Sequence, residues 1–392
     1  MSRSVELPPP TPEEAAHSGA LEERIRGELE THGGWIDFAR FMELALYEPG
    51  LGYYSAGARK LGAAGDFVTA PEVAPVFSRC VAQQCAEVLK TLGNGEILEF
   101  GAGSGAMAAV VLDELVRLDA PPIRYCILDV SADLRERQRA TLAAARPQVL
   151  DRVEWLDRLP KSFTGIMLAN EVLDAMPVER FVIRGGAVNA VGVTWQLGRL
   201  EWSETRAGAP LEAAVRDIER GIGRALPDGY TSELNLRLDA WFRGLGRVLR
   251  RGVVLAIDYG LPRREYYAAQ RVMGTMLCHY RHRFHDDPFT RLGLQDIGAW
   301  VDFSAAAAAA QAAGLEVAGY TTQALFLIGC GIGGYMSEVS NLDLVQRLNL
   351  SRQAMMLTLP GEMGERFKAL GVTRGYDAPL SGFSVRDLRH LL

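Results

Sequence analysis

The residues best suited to chemistry gather at the ends of short apolar runs. The segment "ILEFGAGSGA" sets Glu99 two residues before Gly101, and glycines recur at Gly103 and Gly105. Glycines at the end of a strand let the backbone pass close to a ligand and turn into a helix N-terminus. The dinucleotide pattern G-x-G-x-x-G has its third glycine three residues after the second. Here the interval is two, and an acid ends the strand. A carboxylate repels a pyrophosphate and attracts an ammonium, so the pattern favours S-adenosylmethionine over a nicotinamide dinucleotide. The next run ends in "ILDVS", where Asp129 can accept hydrogen bonds from both hydroxyls of a ribose. A third run, "RVEWLDRLP", ends near Asp157, the position expected beside an adenine, and a fourth, "GIMLAN", delivers Asn170 to the same edge.

Elements of a definite kind must carry these residues. From Glu96 onward, short apolar runs alternate with helical periods such as "AMAAVVLDELVRLD" and "ADLRERQRATLAAA". That alternation predicts an α/β fold with a doubly wound, Rossmann-like sheet, whose ligands sit at the carboxyl ends of its strands. Two N-terminal helices precede it: one from Leu21, with Leu21, Ile25 and Leu29 at four-residue spacing, and one opening at Asp37. A glycine-rich loop, residues 50–71, separates them from the helix "EVAPVFSRCVAQQCAEVLKTLG". After "NEVLDAMPV", the runs "RFVIRGG", "AVNAVGVTWQ" and "RLEWSE" alternate like a small antiparallel meander, followed by a helical piece. This predicts an insertion over about 178–250, carried on the core sheet within a single domain spanning 21–392. The strand "GVVLAIDYG" follows, then a polar, aromatic, substrate-facing segment over about 261–303 and a helix over 304–313. "LEVAGYTT" and "ALFLIGCG" read as strands, and residues 1–20, with three consecutive prolines, as a disordered lead-in.

Composition narrows the class. Net charge is −6 with both signs interspersed, which lacks the broad basic footprint of a nucleic-acid binder. The five cysteines form no C-x-x-C pair and are odd in number, which argues for reduced, buried thiols. No apolar run is long enough to span a bilayer, and the first residues resemble neither a signal nor a transit peptide, so a cytoplasmic location is expected.

Several motifs are long and unusual: "ARFMELALYEPGLGYYS", "GDFVTAPE", "NEVLDAMPVERF", "DYG", "RHRFHDDPFTRLGLQDIGAWVDFSA" and "LSGFS". In this order, from about Gly33 to the C-terminus, they resemble the MidA-like family, relatives of the mitochondrial complex I assembly methyltransferase. The resemblance implies a class I methyltransferase fold with extra helices and an insertion. It also implies a protein partner, since the mitochondrial members are associated with symmetric dimethylation of an arginine in a respiratory-complex subunit. The chain departs from the family's Glu-Leu-Gly-Pro-Gly-Arg-Gly at Phe100, Ala102 and Ser104, and has Asp129 where relatives often have Glu. These changes keep the backbone and charge requirements of the turn.

An arginine acceptor calls for carboxylates that grip its guanidinium in pairs of hydrogen bonds. Glu171 and Asp174, three residues apart after the fourth strand, are assigned that role, with helix capping or a structural ion pair as the alternative. "GDFVTAPE" reads as a lid or floor over the cofactor, with Asp66 and Glu72 facing substrate. Thr69 would bond the cofactor or cap the helix that Pro71 and Glu72 introduce, capping being the simpler reading. Asp258 and Tyr259 end a strand at the ligand edge, unless Asp258 is an acid satisfied by backbone donors. His279, His282 and His285 recur every third residue, a spacing that leaves one face of a strand and drifts on a helix. Substrate contact by His282 and His285, or internal hydrogen bonding, is therefore expected, and no metal. Competing functions are a methyltransferase for another acceptor and a non-enzymatic assembly factor that only grips the cofactor or a partner.

Overall fold

The apolar runs that alternate with helical periods do assemble into one sheet. The structure is a computed structural model that describes residues 7–56, 69–145, 147–337 and 343–392. Seven strands matter here: β1 (Glu96–Phe100), β2 (Tyr125–Leu128), β3 (Val153–Leu156), β4 (Phe163–Asn170), β5 (Leu249–Leu261), β6 (Glu316–Thr322) and β7 (Phe367–Arg374). They lie in the order β6-β7-β5-β4-β1-β2-β3. Strands β3, β2, β1, β4 and β5 are mutually parallel, whereas β7 runs antiparallel to both β5 and β6. Both faces of a parallel sheet are covered, which is why Ile97, Ile166, Leu168, Val253, Leu255 and Ile257 read as near-continuous apolar runs and are buried. Helices Pro75–Leu92 and Ala106–Arg117 bury Phe77, Cys80, Val81, Val111, Leu112 and Leu115 in the same core. From β1 the chain winds outward through β2 to β3, then returns to lay β4 on the other side. The topological switch, where ligands bind in such sheets, therefore falls between β1 and β4.

Two compact units make up the chain. The sheet belongs to the unit formed by Val68–Leu173, Asp239–Leu261 and Phe303–Leu392. The other is assembled from Met1–Phe67, Asp174–Leu238 and Pro262–Asp302. The segment expected as an insertion over about 178–250 falls mostly within this second unit. Its Val178, Val193 and Leu200 pack with Leu21, Ile25, Phe38 and Phe41 of the N-terminal helices and with Leu292 and Ile297, forming a core of their own. The meander is present as Glu179–Arg184, Ala187–Gln196 and Arg199–Arg206 in a five-stranded antiparallel sheet, completed by Trp35–Asp37 and Thr231–Leu234.

Two expectations about elements change. The lead-in becomes helical at Pro12, because Thr11 and Glu14 close a reciprocal capping box and proline occupies the first turn of helix Pro12–Thr31. "ALFLIGCG" belongs to helix Gln323–Gly329, started by the Thr322 side chain, which accepts from the Leu325 amide at 3.3 Å. Strand β7 had no counterpart in the sequence pattern. All five cysteines are buried and free. No helix among the described residues is long and apolar enough to cross a membrane.

Candidate functional site

At the end of β1 the backbone turns sharply. The Gly101 amide donates to the Leu128 carbonyl at 3.0 Å, tying the turn to the end of β2. Gly101, Gly103 and Gly105 have φ of +57°, +54° and +85°, left-handed values that side chains disfavour. A Cβ on Gly105 would come within 3.1 Å of Gln138 Cα, so the third glycine is demanded by helix packing. Among the described residues, a Cβ on Gly101 would meet the Val172 Cγ2 methyl at 3.7 Å, an ordinary contact.

Acids flank the turn. Glu99 is 2% exposed, and the Tyr125 hydroxyl donates to its Oε2 at 2.6 Å. Burial pushes its carboxyl up to about 7; the Tyr125 hydroxyl opposes this and the Asp129 charge adds to it. Asp129 is also buried and raised by burial, against hydrogen bonds from the Ser131 amide (2.9 Å) and Gln138 Nε2 (2.8 Å). Asp157 lies exposed at the end of β3 and pairs with Arg135 at 2.7 Å. Arg135 also donates to the carbonyls of Asp129 and Leu156, pinning the ends of β2 and β3 together. Glu72 accepts from the Ser104 hydroxyl within the glycine turn.

The end of β4 lies next to that turn, with Ala169 in register with Phe100. Asn170 Nδ2 donates to Glu171 Oε1 at 3.2 Å, while its buried Oδ1 finds no donor among the described residues. Glu171 has φ +53°, uncommon for a residue with a side chain. Its amide donates to the Ile257 carbonyl at 2.9 Å, and its Oε1 also accepts from the Ala70 amide at 3.2 Å. Glu171 thus receives the first amide of the upstream helix Ala70–Val73, and caps no helix after β4. Thr69 precedes that helix but makes no side-chain capping bond, so the capping reading gives way. Asp258, 0% exposed, accepts from the amides of Val172 (3.1 Å) and Leu173 (2.9 Å) through Oδ2 and of Tyr259 (2.9 Å) through Oδ1. It shapes the loop behind Glu171, which is the structural alternative to a substrate contact. The half-buried Tyr259 sets its ring edge-on to Phe367, 5.5 Å between centroids.

Asp174, His282 and His285 belong to the other unit. Asp174 is buried in the other unit, its carbonyl accepting from the Ala299 amide at 3.1 Å. His282 is exposed in the tight turn between strands Leu277–Tyr280 and Arg283–His285, with φ +59°. His285 Nδ1 accepts from the Asp287 amide at 3.3 Å, and burial lowers its pKa. No group of three metal-ligating side chains occurs among the described residues. Asp66 lies outside the described residues. Sequence reasoning missed Gln138, Arg135 and Ser104. Gln138 left a signal, being a polar residue in line with the buried Leu134 and Leu142 of helix Ala132–Ala145.

A left-handed glycine turn, two enclosed carboxylates and a buried amide oxygen that finds no donor among the described residues fit a ligand that brings its own donors and a positive ammonium. The sequence profile of S-adenosyl-L-methionine-dependent methyltransferases matches residues 80–321. The chain belongs to this MidA-like methyltransferase family. Its cofactor is S-adenosyl-L-methionine. A Burkholderia thailandensis protein crystallised with S-adenosyl-homocysteine is 41% identical to this methyltransferase, with a TM-score of 0.94 over 99% of this chain and 100% of that one. The Drosophila melanogaster homologue of the mitochondrial protein arginine methyltransferase NDUFAF7 is 26% identical over 95% of this chain and 90% of that protein. The Homo sapiens protein arginine methyltransferase NDUFAF7 is 26% identical over 85% and 79% respectively.

Proposed function

We propose that this methyltransferase acts on a guanidinium nitrogen of an arginine in a protein partner. The supporting observation is Glu171, a carboxylate fixed at the carboxyl end of β4 on a left-handed backbone. Strain of that kind persists only where the surroundings over-determine it, and Asp258 does so by binding the next two amides. S-adenosyl-L-methionine, when bound, supplies an electrophilic methyl group on a sulfonium. Glu171 would hold guanidinium N–H groups by charge-assisted hydrogen bonds, leaving electron density on the nitrogen that attacks. As the new C–N bond forms and the C–S bond breaks, the nitrogen sheds a proton to the Glu171 carboxylate or to water. Glu99 and Asp129 would hold the ammonium and ribose, with Asn170 Oδ1 accepting a further donor. The names of the Drosophila and human relatives support arginine as the acceptor. The partner is proposed to be met in the cytoplasm, with a respiratory-complex subunit as the first candidate.

The test is incubation of the protein and labelled cofactor with lysate from cells lacking it, followed by amino-acid analysis of labelled proteins. Label on arginine is expected; label confined to other side chains or to small molecules overturns the acceptor. Glu171→Gln should bind S-adenosyl-homocysteine within about twofold of the parent while turnover falls by about 10²-fold, the scale of general-base loss.

A further inference from the structure

Helix Ala132–Ala145 follows β2 and presents Gln138 inward at 0% exposure. A primary amide in an apolar stripe is stable only if its donors and acceptor are all engaged. Here they are, by two turns that leave β1 and β2 and by a side chain of β3. Gln138 Nε2 donates to the Asp129 Oδ2 carboxylate at 2.8 Å and to the Gly103 carbonyl at 3.1 Å. Its Oε1 accepts from the Trp155 indole N–H at 2.9 Å. A carbonyl and a carboxylate only accept and an indole N–H only donates, so these partners fix the orientation of the amide. The Gly103 contact reaches the turn after β1, the Asp129 contact the acid after β2, and the Trp155 contact β3 itself. The approach of Gly105 to Gln138 Cα, where no Cβ fits comfortably, brings the helix close enough for these bonds.

We infer that Gln138 is the positioning residue of the cofactor site: it locks the methionine-side glycine turn to the ribose-side carboxylate of Asp129, and so sets cofactor affinity without touching the cofactor. The second Asp129 oxygen is held by the Ser131 amide, and Gln138 is the side chain that holds Oδ2. The alternative role for Gln138 is simple support of the fold. The two differ in coupling. A positioning residue acts through Asp129 and loses its effect once that carboxylate is gone, whereas a structural residue does not.

The inference rests on the cofactor assignment and is independent of the acceptor. The experiment is calorimetric titration of S-adenosyl-homocysteine into the parent, Gln138→Met, Asp129→Ala and the double variant. Binding to the parent establishes the cofactor reading first; its absence overturns that reading, and the inference with it. With the parent binding, Gln138→Met should weaken binding about 10- to 100-fold, the range for losing a hydrogen bond to a charged group. In the Asp129→Ala background the same change should weaken it by less than about threefold. A parent-like affinity for Gln138→Met, or losses that multiply in the double variant, overturns the inference. If Gln138→Met does not fold, Gln138→Glu decides. Its carboxylate would face Asp129, so its affinity relative to the parent should recover on going from pH 8 to pH 6 as the pair takes up a proton. A ratio unchanged with pH overturns the inference equally.

Discussion

Glu99 should make both stability and cofactor affinity depend on pH, in opposite directions. Burial lifts its carboxyl from 4.5 to about 7. Between those values the folded chain keeps a proton that the unfolded chain has released, so stability falls as pH rises through the window. Above it, ionised Glu99 costs the cofactor-free protein about 3 kcal/mol, from roughly 2.5 pH units at about 1.4 kcal/mol each. Glu99→Gln removes the charge and keeps an acceptor for the Tyr125 hydroxyl. Urea denaturation at pH 8 should therefore find the cofactor-free variant more stable than the parent by about 2–3 kcal/mol, with the advantage gone near pH 4.5. Cofactor binding reverses the preference, since an ammonium beside Glu99 favours the ionised form. With a carboxyl near 7, about 3% is ionised at pH 5.5 and about 75% at pH 7.5, so S-adenosyl-homocysteine should bind roughly 25-fold tighter at the higher pH. Titration at pH 6 in buffers of different ionisation enthalpy should show release of nearly one proton, and Glu99→Gln should flatten the profile. A parent affinity that is constant between pH 5.5 and 7.5, or the same slope in Glu99→Gln, would refute the assignment of Glu99 to the ammonium.

Other expectations are simpler. Asp258→Ala leaves the amides of Val172, Leu173 and Tyr259 without their acceptor and should lower unfolding free energy by about 3 kcal/mol or more in urea, with Asp258→Asn losing less. Gly105→Ala, at φ +85° and 3.1 Å from Gln138 Cα, should lose about 1–3 kcal/mol; Gly93→Ala, at φ +72° with nothing within 4 Å among the described residues, should lose less in the same thermal or urea assay. Glu28 behaves oppositely to Glu99: hydrogen bonds from Arg40 and Arg24 hold its carboxyl at about 2. Its contribution is present above pH 4.5 and lost as pH falls toward 2, so Glu28→Gln should flatten the acid limb of the stability profile.

What the sequence disclosed followed from local rules. The glycine spacing, Glu99 and Asp129 were visible because a turn of this kind needs glycine and a charged ligand needs an opposite charge nearby. The parallel strands were visible as apolar runs bounded by helical periods. Strand β7 was not, because Gly371 and Lys368 interrupt its apolar pattern and its partners β5 and β6 are distant in sequence. Helix Gln323–Gly329 escaped because a short, fully apolar run carries no period to separate helix from strand. Asp258 and Gln138 are polar residues whose partners come from other strands, so only the assembled sheet reveals that one supports a loop and the other ties loops together. Asp174 and His282 were singled out by spacing in the sequence, and both belong to the other unit.

The interleaving of the two units has a consequence for how the polypeptide is made. Glu14 belongs to the first helix, yet its ion-pair partner Arg281 is 267 residues further on. At typical synthesis rates of about 5–20 residues per second, Glu14 waits roughly 15–50 s on the ribosome before that partner exists. The five parallel strands are likewise incomplete until β5 emerges after the long detour through Asp174–Leu238. Nascent chains must therefore hold apolar helix faces such as Phe38, Phe41 and Met42 uncovered, which is when holdase chaperones act. A premature stop anywhere before residue 302 leaves both units without a required piece, so such fragments should be cleared by proteolysis and not accumulate as half-active proteins.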